Sequence, residues 1–578
     1  MKLSIVEKAQ EHEAAASAAE PLYVLKFGSS VLRSEADLPV IAGEIYRQRR
    51  AGRRVVAVVS ALAGETDRLF AEAASVSGAT DCAGIADLVS LGEERTAALL
   101  RIACDRIGLP AAICRPEALG LRTTGDALDA HPVRLDSEAL RAALDTTGLV
   151  IVPGFVGVDG AGARTLLGRG GSDFSAIFLD GELEAEAVRL YKDVDGVFDR
   201  DPAGDEDARR FATISWNDAL RIARPLIQPQ SVAYAAAKRL PIEVEAIGSR
   251  NPTRVGPCTG AAEPVRADRP LRIAIAGYGV VGQALAARLR AEPRFEIVSI
   301  LVRDLERERA VPPPVLPTSD FHAFRAVRPD VVVDALSCEA TGAILCAAAL
   351  ADGTSVVSAS KRVIATRHRA LSEAAAGAGA NLLYSAAVGG GAPVLETVAR
   401  ARAAGEIRSV EGILNGTVNF ILGRLAAGLG FDAALAEARQ AGFAEEDSES
   451  DLSGADTAAK LRLVAQSAFG LDPQVIDVTT ERLDAAAVAR IQASGEPWVQ
   501  VARVACRDLW IEASVTLEPL RSVRGIPAGP NEWNCAIATL EDGRNFSCAG
   551  RGAGGAATAE SIVADLFDLA ISKERAPC

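Results

Sequence analysis

Residues 271–303 read LRIAIAGYGVVGQALAARLRAEPRFEIVSILVR, and this stretch limits the fold more than any other part of the chain. An apolar run, Ile273 to Ala276, enters Gly277-Tyr278-Gly279-Val280-Val281-Gly282; an Ala/Leu/Arg helix pattern follows, then a second apolar run from Ile297 to Val302. That order spells one βαβ unit. Gly277 permits the tight turn, Gly279 leaves bare backbone for a pyrophosphate, and Gly282 lets the helix pack on the strand. Val280 and Val281 open the helix whose first N–H groups face the phosphates. A glycine-rich turn that binds nothing is the bland alternative, but strand, turn, helix and second strand all occur in sequence. The unit begins so far along a chain of 578 residues that a separate body must precede it.

Composition agrees with several domains and narrows the chemistry. With 49% apolar and only 4% aromatic residues, the cores are expected to be aliphatic. A formal net charge of −14 argues against nucleic-acid or anionic-membrane partners. Ten cysteines without a CxxC pair read as free thiols in a reducing compartment, and no structural metal is expected. The N-terminus has no apolar signal core and no long uncharged run spans a bilayer, so the expected location is the cytoplasm. The four histidines occupy no catalytic context, which leaves Lys, Asp, Glu, Arg and backbone to carry any reaction.

In the first body, residues 1–20 read as a flexible tail and 21–262 as a folded domain. The strand Tyr23 to Phe27 carries Lys26 and runs into Gly28-Ser29-Ser30; a second strand, Arg54 to Val59, ends in Ser60-Ala61-Leu62-Ala63-Gly64. Both turns lie at strand carboxyl ends, where open α/β sheets bind ligands. Leu91-Gly92-Glu93 is read as opening a helix. Gly168-Arg169-Gly170-Gly171-Ser172-Asp173 then packs glycines, a guanidinium, a hydroxyl and a carboxylate before another helix, and Lys192-Asp193-Val194-Asp195-Gly196 closes a strand in an acidic turn.

These motifs (KFG-SS, VVSAL, LGEE, PGFVG, GRGGSD, KDVDGVF) resemble the amino-acid kinase family, and more closely its aspartate kinases. The resemblance implies a three-layer α/β/α domain in which a substrate carboxylate attacks the γ-phosphate of ATP, with Mg²⁺ arriving with the nucleotide. It assigns Lys26 to neutralising phosphoryl charge, Asp173 to the reacting centre, and Gly28, Ser29 and Ser30 to the phosphates. Glu93, Arg169 and Ser172 would hold L-aspartate, and Asp193 and Asp195 would line the nucleotide side. This chain departs from the family pattern in a shorter first loop, in Lys192 where a threonine is usual, and in Pro225 where a lysine is usual. The tandem ACT regulatory domains common in the family have no place between Gly260 and Leu271, a stretch expected to hold a linker at 263–270.

The second body continues past Arg303-Asp304, where an arginine meets the 2′-phosphate of NADP and a carboxylate the ribose hydroxyls of NAD; Arg303 comes first, so NADP is expected with NAD open. The strand Ser355 to Ser358 ends in Ala359-Ser360-Lys361, and an ammonium at such an edge is costly to bury without a use. An acidic run from Glu445 through Asp451 precedes Asp456 and Lys460, which share a helix face at i,i+4 spacing.

The motifs GYGVVG, SASK, VGGGAP, GILNGTVNFIL, GFAEED…DLSGADTAAK and GAGGAATAESIVADL are together similar to homoserine dehydrogenases. The resemblance implies a Rossmann NAD(P)-binding domain at 271–395, completed by about 546–575, and an α+β substrate and dimerisation domain at 396–545. It assigns Lys361 and Lys460 to proton donation, Asp456 to orienting substrate or water, Glu445 to binding the substrate amine, Asp451 to the same substrate wall, and Ser360 with Lys361 to the cofactor edge. Ser385 replaces the glutamate that helps hold a monovalent cation in that family. The resulting expectation is a bifunctional chain, assembling as a homodimer or higher oligomer through its second half. Its substrates would be L-aspartate, ATP, L-aspartate 4-semialdehyde and L-homoserine. The alternatives are a dehydrogenase carrying a catalytically silent kinase-like scaffold, and a nonenzymatic metabolite sensor.

Overall fold

Runs such as Val55 to Val59 and Leu149 to Val152 have no polar face, so they suit strands covered on both sides. In the computed structural model they are interior strands of that kind. The structure describes residues 20–76, 82–223, 226–249, 251–265, 269–309, 313–441, 448–507, 510–523 and 533–574. The expected tail therefore lies outside the described residues except for Glu20, as do Arg224, Pro225 and Glu445. The chain divides between Arg269 and Pro270 into two units.

The N-terminal unit is built on β1 (Leu22–Phe27), β2 (Arg54–Val59), β3 (Ala112–Ile113), β4 (Leu149–Pro153), β5 (Ala187–Lys192), β6 (Thr213–Ser215), β7 (Ile242–Ala246) and β8 (Thr253–Gly256). They form one sheet in the order β6-β8-β7-β5-β1-β2-β4-β3, with every pair parallel except β7 with β8. Val24, Val56, Val58 and Val150 pack on one face with Ile177 and Phe178 of α3 (Gly171–Leu183). The alternating residues Leu25, Phe27, Val55 and Ala57 are as deeply buried, toward α1 (Leu38–Arg50) and α2 (Cys82–Arg106). Glu93 lies in the middle of α2 and does not open it; the small residues before it are tolerated because α2 packs closely there, with Gly92 against Ala61. The expected linker is also shorter. Ala262–Pro264 is a strand pairing antiparallel with Arg209–Phe211 inside this unit.

The C-terminal unit opens on an all-parallel sheet of β9 (Leu271–Ala276), β10 (Phe295–Leu301), β11 (Val331–Asp334), β12 (Ser355–Ser358) and β13 (Leu382–Leu383), ordered β10-β9-β11-β12-β13. Helix α4 (Val280–Leu289) follows the glycine turn, and α5 (Lys361–Ala378) follows β12. A second, mostly antiparallel sheet contains β14 (Ile407–Ile413), β15 (Thr479–Thr480), β16 (Trp498–Arg507), β17 (Trp510–Pro519), β18 (Trp533–Leu540) and β19 (Asn545–Arg551), ordered β15-β17-β16-β14-β18-β19. Helices α6 (Gly416–Ala426) and α7 (Ala455–Phe469) pack against it. One core runs through both layers: Ala274, Val332 and Val363 share a cluster with Val464, Val504 and Val515.

The last helix, α8 (Gly555–Glu574), returns to the first sheet. Its Ile562, Val563 and Leu566 pack with Ile273, Ile275 and Leu285, and Glu560 pairs with Arg288 of α4 at 3.0 Å. The glycine-rich turns secure this return. Gly390 has φ +63, and a Cβ there would stand 2.5 Å from the Gly552 carbonyl oxygen, so two backbones meet where only glycine fits.

Candidate active sites

In the N-terminal unit, β1 and β5 run side by side with Lys26 beside Leu190, so Lys26 and Lys192 both project at the carboxyl edge of the sheet. Their ammoniums converge on Asp173 in the first turn of α3: Lys26 Nζ lies 2.5 Å from Oδ1 and Lys192 Nζ 2.9 Å from Oδ2. All three side chains are buried. Burial would raise the Asp173 carboxyl, but Lys192 and Lys26 outweigh it and hold it at about 2. Burial, with Lys192 as a like charge, brings the Lys26 ammonium down to about 8 against the pull of Asp173.

A cavity of about 620 Å³ opens above this group. Gly28, Ser29 and Ser30 form one wall, and the Ser30 hydroxyl is buried with no hydrogen-bond partner among the described residues. A Cβ at Gly28 would lie 2.4 Å from Lys26 Nζ, so the ammonium rests over bare backbone. Arg169 and Ser172 form another wall at the start of α3, where helix amides favour an anion. Glu93 completes it: Oε1 accepts from the Ala61 amide at 3.2 Å, Oε2 has no hydrogen-bond partner among the described residues, and burial pushes the carboxyl up to about 8. A cation brought beside it would favour its ionised form.

Of the two acidic-turn residues, Asp193 lines the cavity. Asp195 does not. It is drawn to Arg210 at 3.2 Å and takes the Ala246 amide at 3.4 Å, in the bend that follows β5.

The C-terminal unit repeats the same electrostatic device. Asp456, in the first turn of α7, receives Lys361 Nζ on Oδ1 at 2.5 Å and Lys460 Nζ on Oδ2 at 2.9 Å. Lys361 is the first residue of α5, capped by Ser360, while Lys460 also donates to the Leu414 carbonyl at 2.6 Å. Burial opposes ionisation of Asp456, and Lys460 and Lys361 overcome it to hold the carboxyl at about 2. Asp451 stands nearby, accepting from the Asn415 amide at 2.9 Å, with its carboxyl raised by burial and by Asp456. The turn into α5 is braced from below: buried Asp334 accepts from the Ser358 hydroxyl at 2.8 Å, and Ser358 Oγ accepts the Ser360 amide at 3.1 Å.

The glycine turn after β9 fits a dinucleotide. Gly277 has φ +97 and its Cβ position is 2.5 Å from the Ala335 carbonyl oxygen, and a Cβ built on Gly282 would clash with the Gly277 carbonyl oxygen. Gly279 faces open space, the cradle a pyrophosphate needs, beside exposed Val280 and half-buried Val281. Arg303 is exposed just beyond β10. Ser385 donates its hydroxyl to the buried Asp565 carboxylate of α8 at 2.7 Å. Among the described residues no cluster of His, Cys, Asp and Glu is arranged to hold a metal ion.

Residues 21–241 match the model of the amino acid kinase family, 277–385 that of the homoserine dehydrogenase NAD-binding domain, and 393–567 that of homoserine dehydrogenase. The chain unites an amino-acid kinase domain with the two domains of homoserine dehydrogenases. The kinase segment is 34% identical over 226 residues to an aspartate kinase of Pseudomonas putida, covering 39% of this chain and 55% of that one. It is 35% identical over 202 residues to an aspartokinase of Helicobacter pylori, covering 35% and 50%. This chain thus spans about half the length of those relatives. A solved homoserine dehydrogenase from Thiobacillus denitrificans is 29% identical over 53% of this chain and 76% of its own, with a TM-score of 0.49.

Three residues at these sites went unassigned in the sequence. Lys192 stood out there only as a departure from a family pattern, although it ends an apolar strand as Lys26 nearly does. Asn415 and the Leu414 carbonyl sit in the ILNGT motif, whose role became visible only when α6 and α7 brought them to Asp451 and Lys460.

Proposed function

We propose that the chain is a bifunctional enzyme. Its kinase unit phosphorylates the side-chain carboxylate of L-aspartate with ATP, and its dehydrogenase unit interconverts L-aspartate 4-semialdehyde and L-homoserine with NAD(P). The observation that carries this reading is the pair of buried aspartates, each holding two lysine ammoniums, with Lys26 and Lys361 standing at the carboxyl ends of parallel strands.

In the kinase unit, Glu93 takes the substrate ammonium, and Arg169 with Ser172 takes its α-carboxylate. The free carboxylate attacks the γ-phosphorus: a new O–P bond forms, the bond to the bridging oxygen breaks, and ADP leaves with the electron pair. No proton moves, because the nucleophile is already ionised. The protein's work is positioning and charge neutralisation by Lys26, Ser29, Ser30 and the Gly28 amide. Asp193, exposed on the nucleotide side, suits the Mg²⁺ that accompanies ATP.

In the dehydrogenase unit, the bound reduced cofactor supplies hydride to the aldehyde carbon. Lys361 and Lys460 hold the aldehyde oxygen, and one of their N–H protons passes to it as it becomes a hydroxyl. Asp456 keeps both ammoniums at that point, Asp451 lines the substrate side, and Arg303 meets the 2′-phosphate that distinguishes NADP. Free thiols and the lack, among the described residues, of any helix able to cross a membrane support a cytoplasmic location.

The test is direct. Purified chain given ATP, L-aspartate and hydroxylamine should form aspartyl hydroxamate, and given L-homoserine should reduce NADP⁺. Homoserine oxidation without hydroxamate would reduce the chain to a dehydrogenase with a kinase-shaped partner.

A further inference from the structure

The kinase site holds more positive charge than its own carboxylate needs. Asp173 already has a short ion pair with Lys26, yet Lys192 reaches its second oxygen at 2.9 Å, and both lysines are buried. Burying an ammonium is expensive unless it is paired, and a single carboxylate cannot fully compensate two. The other charged groups facing the cavity are Glu93, Asp193, Arg169 and Asp67. Glu93 meets the Ala61 amide and is pushed toward its neutral form, and Asp193 is exposed, so neither offsets the second ammonium. The surplus points at an anion. Its location agrees: Lys26 and Lys192 flank the glycine-serine turn and the start of α3, and both line the same cavity as the unpartnered Ser30 hydroxyl.

We propose that Lys192 is a second phosphoryl-binding catalytic residue of the kinase unit, sharing the transferred group with Lys26 while Asp173 holds the two ammoniums apart. This rests on the kinase reading given above. As charge builds on the oxygens of the γ-phosphoryl and on the leaving ADP oxygen, two ammoniums preset on one carboxylate meet it without rearranging. The strand-end position of Lys192 thereby supplies a charge that Pro225 cannot.

The experiment uses the full chain with Lys192→Met and Lys192→Arg. Aspartyl hydroxamate formation by Lys192→Met should show kcat lowered at least about 100-fold, with the ATP-induced shift in thermal unfolding retained. Lys192→Arg should recover to within about 10-fold of wild type, and homoserine oxidation should be unchanged in both. The pH profile adds a readout that a structural role would not move. Lys26 should lose activity as pH rises through about 8 in wild type, and this alkaline limb should move upward in Lys192→Met, where the like charge is gone, but not in Lys192→Arg. A Lys192→Met kcat within about 3-fold of wild type, or a loss that Arg does not relieve, would overturn the role of Lys192. A wild-type chain that forms no hydroxamate while oxidising homoserine would instead overturn the kinase reading, and this proposal with it.

Discussion

Replacing Glu93 by glutamine should stabilise the kinase unit while weakening its grip on aspartate. The side chain is 2% exposed, and its carboxyl is raised from 4.5 to about 8 by burial. Below pH 4.5 the folded and unfolded chains both keep this proton. Between pH 4.5 and 8 the unfolded chain releases it and the folded chain does not, so stability is lost as pH rises, and the loss is complete above 8. That interval sets a ceiling of about 5 kcal/mol on the penalty. Residual structure in the unfolded chain and local relaxation bring the working figure to about 2 kcal/mol. Glutamine removes the penalty and keeps an acceptor for the Ala61 amide. The unfolding transition that ATP shifts should therefore rise by about 4–8 °C at pH 8 and hardly at all at pH 5. Loss of a charged contact to the substrate ammonium should raise the aspartate KM by about 30-fold with the ATP KM unchanged. A lower melting temperature for Glu93→Gln at pH 8, a gain equal at both pH values, or an unaltered aspartate KM would refute the assignment.

The cofactor turn separates strain from ligand contact. Gly277→Ala should cost about 1–3 kcal/mol in stability, since φ is +97 and the new methyl meets the Ala335 carbonyl. Gly279→Ala, facing open space, should leave the melting temperature unchanged and raise the cofactor KM at least about 10-fold, as steady-state kinetics will show. Arg303→Ala should weaken NADP about 10-fold relative to NAD, measured as the ratio of kcat/KM values. The depressed Asp173 and Asp456 carboxyls contribute stability that is present above their unfolded value of 3.8 and is lost as pH falls toward about 2. Acid titration of wild type should therefore show unfolding steepen below pH 4, and each Asp→Asn variant should flatten the response of its own unit.

Much of the sheet framework was readable from residues alone because both units are built on apolar, β-branched runs. Arg54 to Val59 and Ser355 to Ser358 are strands with those bounds. The glycine fingerprint was equally plain, since Gly277 and Gly282 each answer a specific backbone approach. Glu93 was misplaced within its helix because small residues before a charged one look like a helix start, whereas Gly92 is there for packing against Ala61. Lys192 was hidden for a different reason. Its partner Asp173 is 19 residues away and only the parallel pairing of β1 with β5 brings Lys26 to the same carboxylate. Asn415 and Leu414 likewise depend on long-range packing that leaves no local periodicity. Asp195 shows the reverse case, an acidic turn residue whose motif suggested the nucleotide but whose side chain serves Arg210.

The most decisive measurement is a crossed pair of substitutions in the full chain, Asp173→Asn and Asp456→Asn, each assayed for aspartyl hydroxamate formation and for homoserine-dependent NADP⁺ reduction. Two independent lysine-flanked aspartates predict that Asp173→Asn loses about 100-fold or more of the first activity and none of the second, and that Asp456→Asn does the reverse. Retention of both activities in either variant, or loss of both in each, would contradict the assignment of one reaction to each unit.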